Sequence, residues 1–191
     1  MGLFDWLKKK NNKNTINCGS VTLSYSIEVT KNPVQEKIAA LHREATTHKV
    51  SNWPAAVACL QEAADLMRQH PSDYVLDRWT RLPVFMQQAG QFDEAMQEFE
   101  RLLSEVEERV RQESPDRASP AWIEYQINRN YQTIYDKMRM VCKRQKRSDD
   151  AAKYGQLSIE YGERTEELRV IVDAERKAER RAYQEKIAGS R

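Results

Sequence analysis

Three histidines are the first side chains of this 191-residue chain that could hold a metal ion or transfer a proton. His42 and His48 stand six residues apart, which places them on different faces of a helix, and His70 is distant from both. A metal site built on one helix needs ligands on a shared face, as in the spacing His-x-x-x-His. We therefore expect neutral histidines at the surface or boundary of the protein, and no metal site.

Cysteine chemistry is also weakly indicated. Cys18, Cys59 and Cys142 are odd in number, and none forms a Cys-x-x-Cys pair, so neither a disulfide framework nor a metal knuckle is expected. Three cations stand near Cys142 in the sequence: Arg139, Lys143 and Arg144. Such cations lower the pKa of a thiol, but a buried helical cysteine is the simpler interpretation.

The chain has no glycine-rich phosphate loop and no Gly-x-Ser-x-Gly elbow. These observations favour a protein that is not an enzyme and needs no cofactor. The sparse cysteines fit a reducing compartment, and neither a secretory signal nor an apolar run of roughly 20 residues is present. We therefore expect a cytoplasmic protein that does not span a membrane.

The elements that carry these residues are predicted to be helices. Only six glycines and six prolines occur, too few for a fold rich in strands and turns. Capping signals at Asn32, at Ser51 or Asn52, at Ser72, Ser119 and Ser148, together with the stop signal at Gly90, divide the chain. Six helices are predicted, over about 32–49, 53–69, 72–89, 92–112, 120–146 and 148–187. Pro83 predicts a kink in the third helix or a start near Trp79.

The first 31 residues differ from the rest and are predicted to form an N-terminal arm before a helical domain at 32–191. Residues 21–29 alternate apolar and polar side chains, which is typical of a half-buried strand. This strand could pair with Thr15–Asn17 in a hairpin, with its copy in a homodimer, or with a partner. Residues 1–10 form a short amphipathic start that could touch a membrane surface, but a helix docked on the protein or a frayed tail is the simpler interpretation.

One pair of predicted helices carries a specific pattern. The first helix has Trp79, Leu82 and Met86, the turn is Ala89-Gly90-Gln91-Phe92, and the second helix has Ala95, Phe99 and Leu102. This pattern resembles the tetratricopeptide repeat, in which small residues face large ones where two antiparallel helices approach closely. Trp53, Ala56, Leu60 and Ala63 repeat part of the pattern 39 residues earlier. The likeness is good over 34–110, loose over 119–162, and absent from the N-terminal strand. It implies a mainly all-α fold of antiparallel helical pairs, a short α-solenoid, with a small N-terminal strand or hairpin.

A binding surface is predicted on two helices. On the fifth helix, tyrosine, amide and arginine side chains that suit protein recognition recur at steps of three and four: Tyr125, Asn128, Gln132, Tyr135 and Arg139. On the third helix, the resemblance implies that the face turned to the groove carries Thr80, Val84 and Gln88. The family's clamp for a terminal carboxylate uses lysine, arginine and asparagine there, so recognition of chaperone tails is not expected.

Charge leaves further functions open. Residues 1–31 carry a net charge of +3, residues 137–191 carry +5, and the remainder carries −6. Basic ends could meet nucleic acid or a membrane surface. The charges after Glu160 alternate in helix-stabilising pairs, however, and no regular interleaving of aromatic residues supplies a stacking platform. The favoured function is binding of a partner protein or peptide. A bacterial inhibitor or immunity-type protein that blocks a toxin or enzyme is the first alternative, and binding of nucleic acid or membrane through the basic ends is the second.

Overall fold

The structure is a computed structural model that describes residues 14–18, 21–25, 32–72 and 74–188. The chain divides into two compact units, Met1–Pro33 and Val34–Arg191. In the first unit, β1 (Asn14–Cys18) pairs antiparallel with β2 (Val21–Tyr25), and Ile16 lies opposite Leu23. The predicted amphipathic start at 1–10 and the end of the predicted strand at 26–29 lie outside the described residues. The pairing of this strand in a dimer or with a partner stays a prediction.

The second unit consists of helices packed in neighbouring pairs, which confirms the prediction of a mainly α-helical protein. They are α1 (Pro33–His48), α2 (Trp53–Gln69), α3 (Leu76–Gln88), α4 (Phe92–Glu113), α5 (Pro120–Arg144) and α6 (Ser148–Ala188). Their ends follow from local chemistry. Asn52 accepts a hydrogen bond from the Ala55 amide, and Ser119 accepts one from the Trp122 amide, both at 3.1 Å. Gly90 ends the turn after α3 with φ of 85°, which favours glycine.

The third helix differs from its prediction. It begins at Leu76 rather than after Ser72, and its first position follows Val75, whose side chain makes no capping bond. The extended segment before it holds Tyr74, whose hydroxyl donates to the His70 carbonyl at 3.0 Å. This contact ties the segment to the end of α2, so a cap at Ser72 does not form. Pro83 lies inside α3, in its second half.

The core joins the first five helices. Its largest fully buried side chains include Ile38, Leu60, Leu82, Phe99 and Ile134. Trp79 is 3% exposed and Ala95 is 0% exposed, so the small and large residues of the predicted repeat are both buried. Burying each large apolar side chain stabilises the fold by about 1.5–3 kcal/mol.

The last two helices pack more closely than the others because α6 presents small side chains to α5. These side chains are spaced alternately by four and three residues: Ala151, Gly155, Ser158, Gly162 and Thr165. A Cβ atom added at Gly155 would lie 3.2 Å from Arg139 Cδ, and Ser158 Oγ donates to the Gln132 carbonyl at 3.3 Å. The seam reaches the start of α5, where Ser119 Oγ donates to the Glu175 carboxylate. Beyond it, residues 176–188 of α6 are all exposed.

Candidate functional site

The recognition face predicted on the fifth helix lies largely against α6. Gln132 and Arg139 contact the small-residue seam, and the Tyr135 ring stacks on Tyr154 and Tyr161 at centroid distances of 6.3 and 5.5 Å. The structure thus brings three of the five predicted residues together at a helix–helix interface. Their role in binding a partner stays a prediction, and their packing gives them a structural role that the sequence did not indicate.

The other two residues of that face, Tyr125 and Asn128, make local or partial contacts. Asn128 is 5% exposed, and its Nδ2 donates to the Glu124 carbonyl at 2.8 Å. Tyr125 is half-buried near the start of α5. Neither side chain therefore stands free on an open surface.

The three residues predicted to bind on the third helix differ in how far their side chains are exposed to solvent. Thr80 is 2% exposed, and its hydroxyl donates to the Leu76 carbonyl at 3.3 Å. Val84 is half-buried against the core, and Gln88 is exposed near the end of α3. Thr80 therefore contributes to packing, and only Gln88 presents its side chain freely to solvent.

Two of the residues considered for chemistry, His42 and Cys142, are buried. His42 is 7% exposed, and burial, followed by the charges of Arg81 and Arg78, lowers its pKa to about 4. Its Nδ1 lies 3.3 Å from Arg81 Nη1, which also donates to the His42 carbonyl at 3.2 Å. Burial, followed by the charge of Asp150, raises the pKa of the Cys142 thiol, so the thiolate is disfavoured. Within the described residues, no three His, Cys, Asp or Glu side chains cluster as a metal site requires.

A large cleft in the helical unit lies where α3 begins, α4 ends and α5 passes both. Its volume is about 600 Å³. We call it the α3–α5 cleft. The residues that line it combine aromatic, aliphatic, amide and charged side chains: Tyr74, Val75, Leu76, Asp77, Val110, Glu113, Trp122, Gln126, Arg129, Asn130 and Thr133.

Helix ends position the cleft. Val110 and Tyr74 are buried and form its apolar floor, whereas Val75 is 63% exposed at its rim. Tyr74 packs edge-on against Trp79 at 6.3 Å, so the core of the helical pair supports the segment before α3. The Ser119 cap starts α5 and brings Trp122 to the cleft one turn later.

A buried polar bond holds the two walls of the cleft together. Arg109 on α4 is 8% exposed and donates from Nη2 to Asn130 Oδ1 on α5 at 2.9 Å. Its guanidinium also lies over the Trp79 ring, 4.9 Å from the centroid. Burial lowers the pKa of this guanidinium, and the neighbouring Glu113 and Glu105 oppose that effect. The cost of burying one charge is thus partly offset by an aromatic face and two nearby carboxylates.

The charged side chains around the cleft differ in their ion pairs within the described residues. Asp77 pairs with Lys137 at 3.6 Å, across the gap between α3 and α5. Arg129 is exposed and has no ion pair within the described part of the chain. Burial, the main cause, raises the pKa of the Tyr74 phenol, which keeps it protonated as a donor. The cleft therefore presents the exposed guanidinium of Arg129 and the Trp122 indole along the same helix, over an apolar floor.

Sequence patterns did not single out this part of α5. Trp122, Gln126, Arg129 and Thr133 recur at steps of four, three and four, as regular as the face that was predicted. These four residues could have been recognised from their amino-acid types, because tryptophan and arginine are among the residues most enriched at binding hot spots.

Two further findings concern the whole described chain. No helix among the residues that the structure covers is long and apolar enough to cross a membrane. Comparison with protein-family models, curated proteins and solved structures finds no match to this chain.

Proposed function

We propose that this protein is a non-catalytic binding module that holds a segment of a partner protein in the α3–α5 cleft. The observation that supports this proposal most directly is the composition of that cleft: an indole, an exposed guanidinium and an exposed valine surround an apolar floor. Tryptophan, tyrosine and arginine dominate the energetics of protein interfaces, because each combines a large contact area with a polar group. A cavity of about 600 Å³ accommodates a few side chains of a partner.

The fold is consistent with a short tetratricopeptide-like solenoid. The support is the arrangement of helices in neighbouring pairs, together with buried small and large residues at the positions where the repeat pattern has them. Repeat folds of this kind build extended concave binding surfaces, and the α3–α5 cleft is a concave surface lined by residues of α3, α4 and α5. A partner segment in the α3–α5 cleft would contact Trp122 and Arg129, because both line it.

A non-catalytic role is favoured by the state of the groups that could react. The His42 imidazole is buried beside Arg81 with a pKa of about 4, and burial raises the pKa of the thiol at Cys142. Neither group lines the α3–α5 cleft. In the cleft itself, the carboxylate of Asp77 is paired with Lys137 at 3.6 Å.

The proposal is tested by partner capture with a matched pair of variants. Val75→Asp with Arg129→Ala changes two exposed side chains at the cleft, and Asp is also a better residue than Val before the first turn of α3. Val170→Asp with Arg169→Ala makes the same changes on exposed residues of α6 that do not line the cleft. Both variants are expected to melt close to the wild-type temperature.

Capture from the native cell extract, followed by mass spectrometry, gives the measurement. We expect the cleft variant to lose the captured protein by about tenfold or more, as for the loss of interface hot spots, and the α6 variant to retain it. Equal capture by the wild type and the cleft variant would refute binding at this cleft.

A further inference from the structure

Four tyrosines form a contiguous cluster on α5 and α6. Tyr131 packs on Tyr161 at a centroid distance of 4.9 Å, Tyr135 stacks on Tyr161 at 5.5 Å, and Tyr135 stacks on Tyr154 at 6.3 Å. All four side chains are half-buried. Rings that pack on each other in this way form a rigid surface, because the contacts between neighbouring rings restrict the rotation of each side chain.

Tyr154 also lies in a groove between α4 and α6. The groove has a volume of about 460 Å³. We call it the α4–α6 groove. It is lined by Phe92, Asp93, Met96, Gln97, Glu100, Arg147, Asp150 and Tyr154. The tyrosine cluster therefore continues one wall of an open groove that shares no residue with the α3–α5 cleft.

The charges of the groove are mainly negative. Asp93 and Glu100 are exposed on α4, and neither has an ion pair within the residues that the structure describes. The cation Arg147 is already neutralised, since its Nε lies 2.6 Å from Asp150 Oδ2. Lys153 is a further cation of this region, since its Nζ lies over the ring of the groove residue Tyr154.

The aromatic rings of this region already accept cations. The guanidinium of Arg147 lies 4.9 Å from the centroid of the Phe92 ring, and Lys153 Nζ lies 5.5 Å from that of Tyr154. Cations over aromatic faces within about 6 Å are attracted by the ring quadrupole. Tyrosine faces beside unpaired carboxylates are thus chemically suited to a guanidinium or an ammonium group.

Carboxylates also lie near the phenol groups. Burial is the main cause that raises the pKa of Tyr154; Cys142, Asp150 and Glu100 add to it, and the charge of Arg147 opposes it. Burial likewise raises the pKa of Tyr131, and the charge of Glu107 adds to it. Carboxylates therefore lie close to both ends of the tyrosine cluster.

We propose that the α4–α6 groove, with the adjoining tyrosine cluster, is a second binding site, which takes an arginine- or lysine-bearing segment of a partner polypeptide. A cationic side chain would stack on the tyrosine faces and meet the carboxylates of Asp93 and Glu100. The groove and its charges are independent of the α3–α5 cleft, so this site can be present or absent whatever that cleft binds.

The test uses the full chain and a defined probe. The probe is a blocked peptide of alternating glycine and arginine, and its control is the same peptide with citrulline in place of arginine, which keeps the shape and removes the charge. Asp93→Asn with Glu100→Gln removes two unpaired carboxylates from the groove. Glu163→Gln with Glu167→Gln removes two exposed carboxylates from α6 outside the groove, so both variants change the net charge equally.

Calorimetric titration at physiological salt gives the affinities. We expect saturable binding of the arginine peptide, weaker by about fivefold or more in the groove variant and changed by less than about twofold in the α6 variant, with no binding of the citrulline peptide. The proposal is overturned by the absence of saturable binding, by equal weakening in the two variants, or by full affinity in the groove variant.

Discussion

Gln132 on α5 lies directly against Gly162 on α6, so that a Cβ atom at position 162 would stand 2.9 Å from Gln132 Nε2 and 3.4 Å from Gln132 Cδ. This contact explains why α6 carries a glycine in the middle of a helix, where glycine costs roughly 0.5–1 kcal/mol relative to alanine. The missing side chain allows the two helices to approach closely along their seam.

Enlarging Gly162 should therefore separate these helices. We expect Gly162→Leu to lower the free energy of unfolding by about 1–3 kcal/mol, the usual cost of overpacking. Gln132→Ala should restore part of this loss, because it vacates the space that leucine needs. Urea denaturation of the two single variants and the double variant measures the coupling. Ala178→Leu, on the exposed end of α6, is the control, and strictly additive effects at 132 and 162 would contradict the contact.

The helical pair formed by α3 and α4 gives a second stability prediction. We expect Trp79→Ala to cost about 3–5 kcal/mol, because the ring is 3% exposed and also carries the guanidinium of Arg109 on its face. Ala95→Leu should cost about 1–3 kcal/mol by overpacking at a position that is 0% exposed. Thermal melts followed by circular dichroism test both. An unchanged melting temperature in either variant would show that the residue is not packed as described.

His42 should make stability depend on pH. Its pKa is lowered from 6.5 to about 4 in the folded protein, so the unfolded chain binds more protons between these values. Stability is then fully present above about pH 7 and decreases as the pH falls towards 4, with a loss on the order of 3 kcal/mol. Carboxylates titrate in the same range, so the measurement is the difference between the wild type and His42→Gln.

We expect the unfolding free energy of His42→Gln to change less steeply between pH 7 and pH 4 than that of the wild type. His70→Gln is the matched control, because His70 is exposed at the end of α2. Parallel pH profiles for the wild type and His42→Gln would mean that this imidazole is not held neutral by burial.

Tyr135 is expected to affect folding more than an exposed binding residue would. Its ring lies within 6.4 Å of three other tyrosine rings, so Tyr135→Ala should lower the free energy of unfolding by about 2–4 kcal/mol. Tyr135→Phe keeps the ring and should cost less than about 1 kcal/mol. Guanidinium denaturation of both variants measures these changes in the free energy of unfolding. Equal stability of the alanine variant and the wild type would show that Tyr135 is an exposed surface residue and does not stabilise the fold.

The helices and part of the core could be predicted from the sequence because their signals are local. Asn52 and Ser119 cap helices through contacts with residues three positions later. Trp79 and Leu82 on α3, and Ala95 and Phe99 on α4, stand at helical spacing. The start of α3 was missed because Tyr74 is held by the His70 carbonyl, a contact that depends on the end of the preceding helix.

The sequence could not distinguish which stripe of α5 meets solvent. Tyr135 and Trp122 belong to neighbouring stripes with the same periodicity. Which of the two faces is covered depends on the small residues of α6, above all Gly155 and Gly162. These glycines pack against the face of α5 that carries Tyr135, so that this face lies in the helix–helix interface. This packing depends on residues of two helices that are distant in the sequence, so it cannot be recognised from the residue spacing of either helix alone.

The central claim is that a partner is bound at the α3–α5 cleft rather than by the basic end of the chain. The most direct measurement is the affinity of the captured partner for three proteins, at about 50 and 200 mM salt. These are the wild type, the cleft variant Val75→Asp with Arg129→Ala, and a tail variant, Arg180→Gln with Arg181→Gln. We predict that the cleft variant loses at least about tenfold in affinity, that the tail variant keeps wild-type affinity, and that salt changes wild-type affinity little. Full affinity in the cleft variant, with loss in the tail variant and a steep decline with salt, would contradict the account.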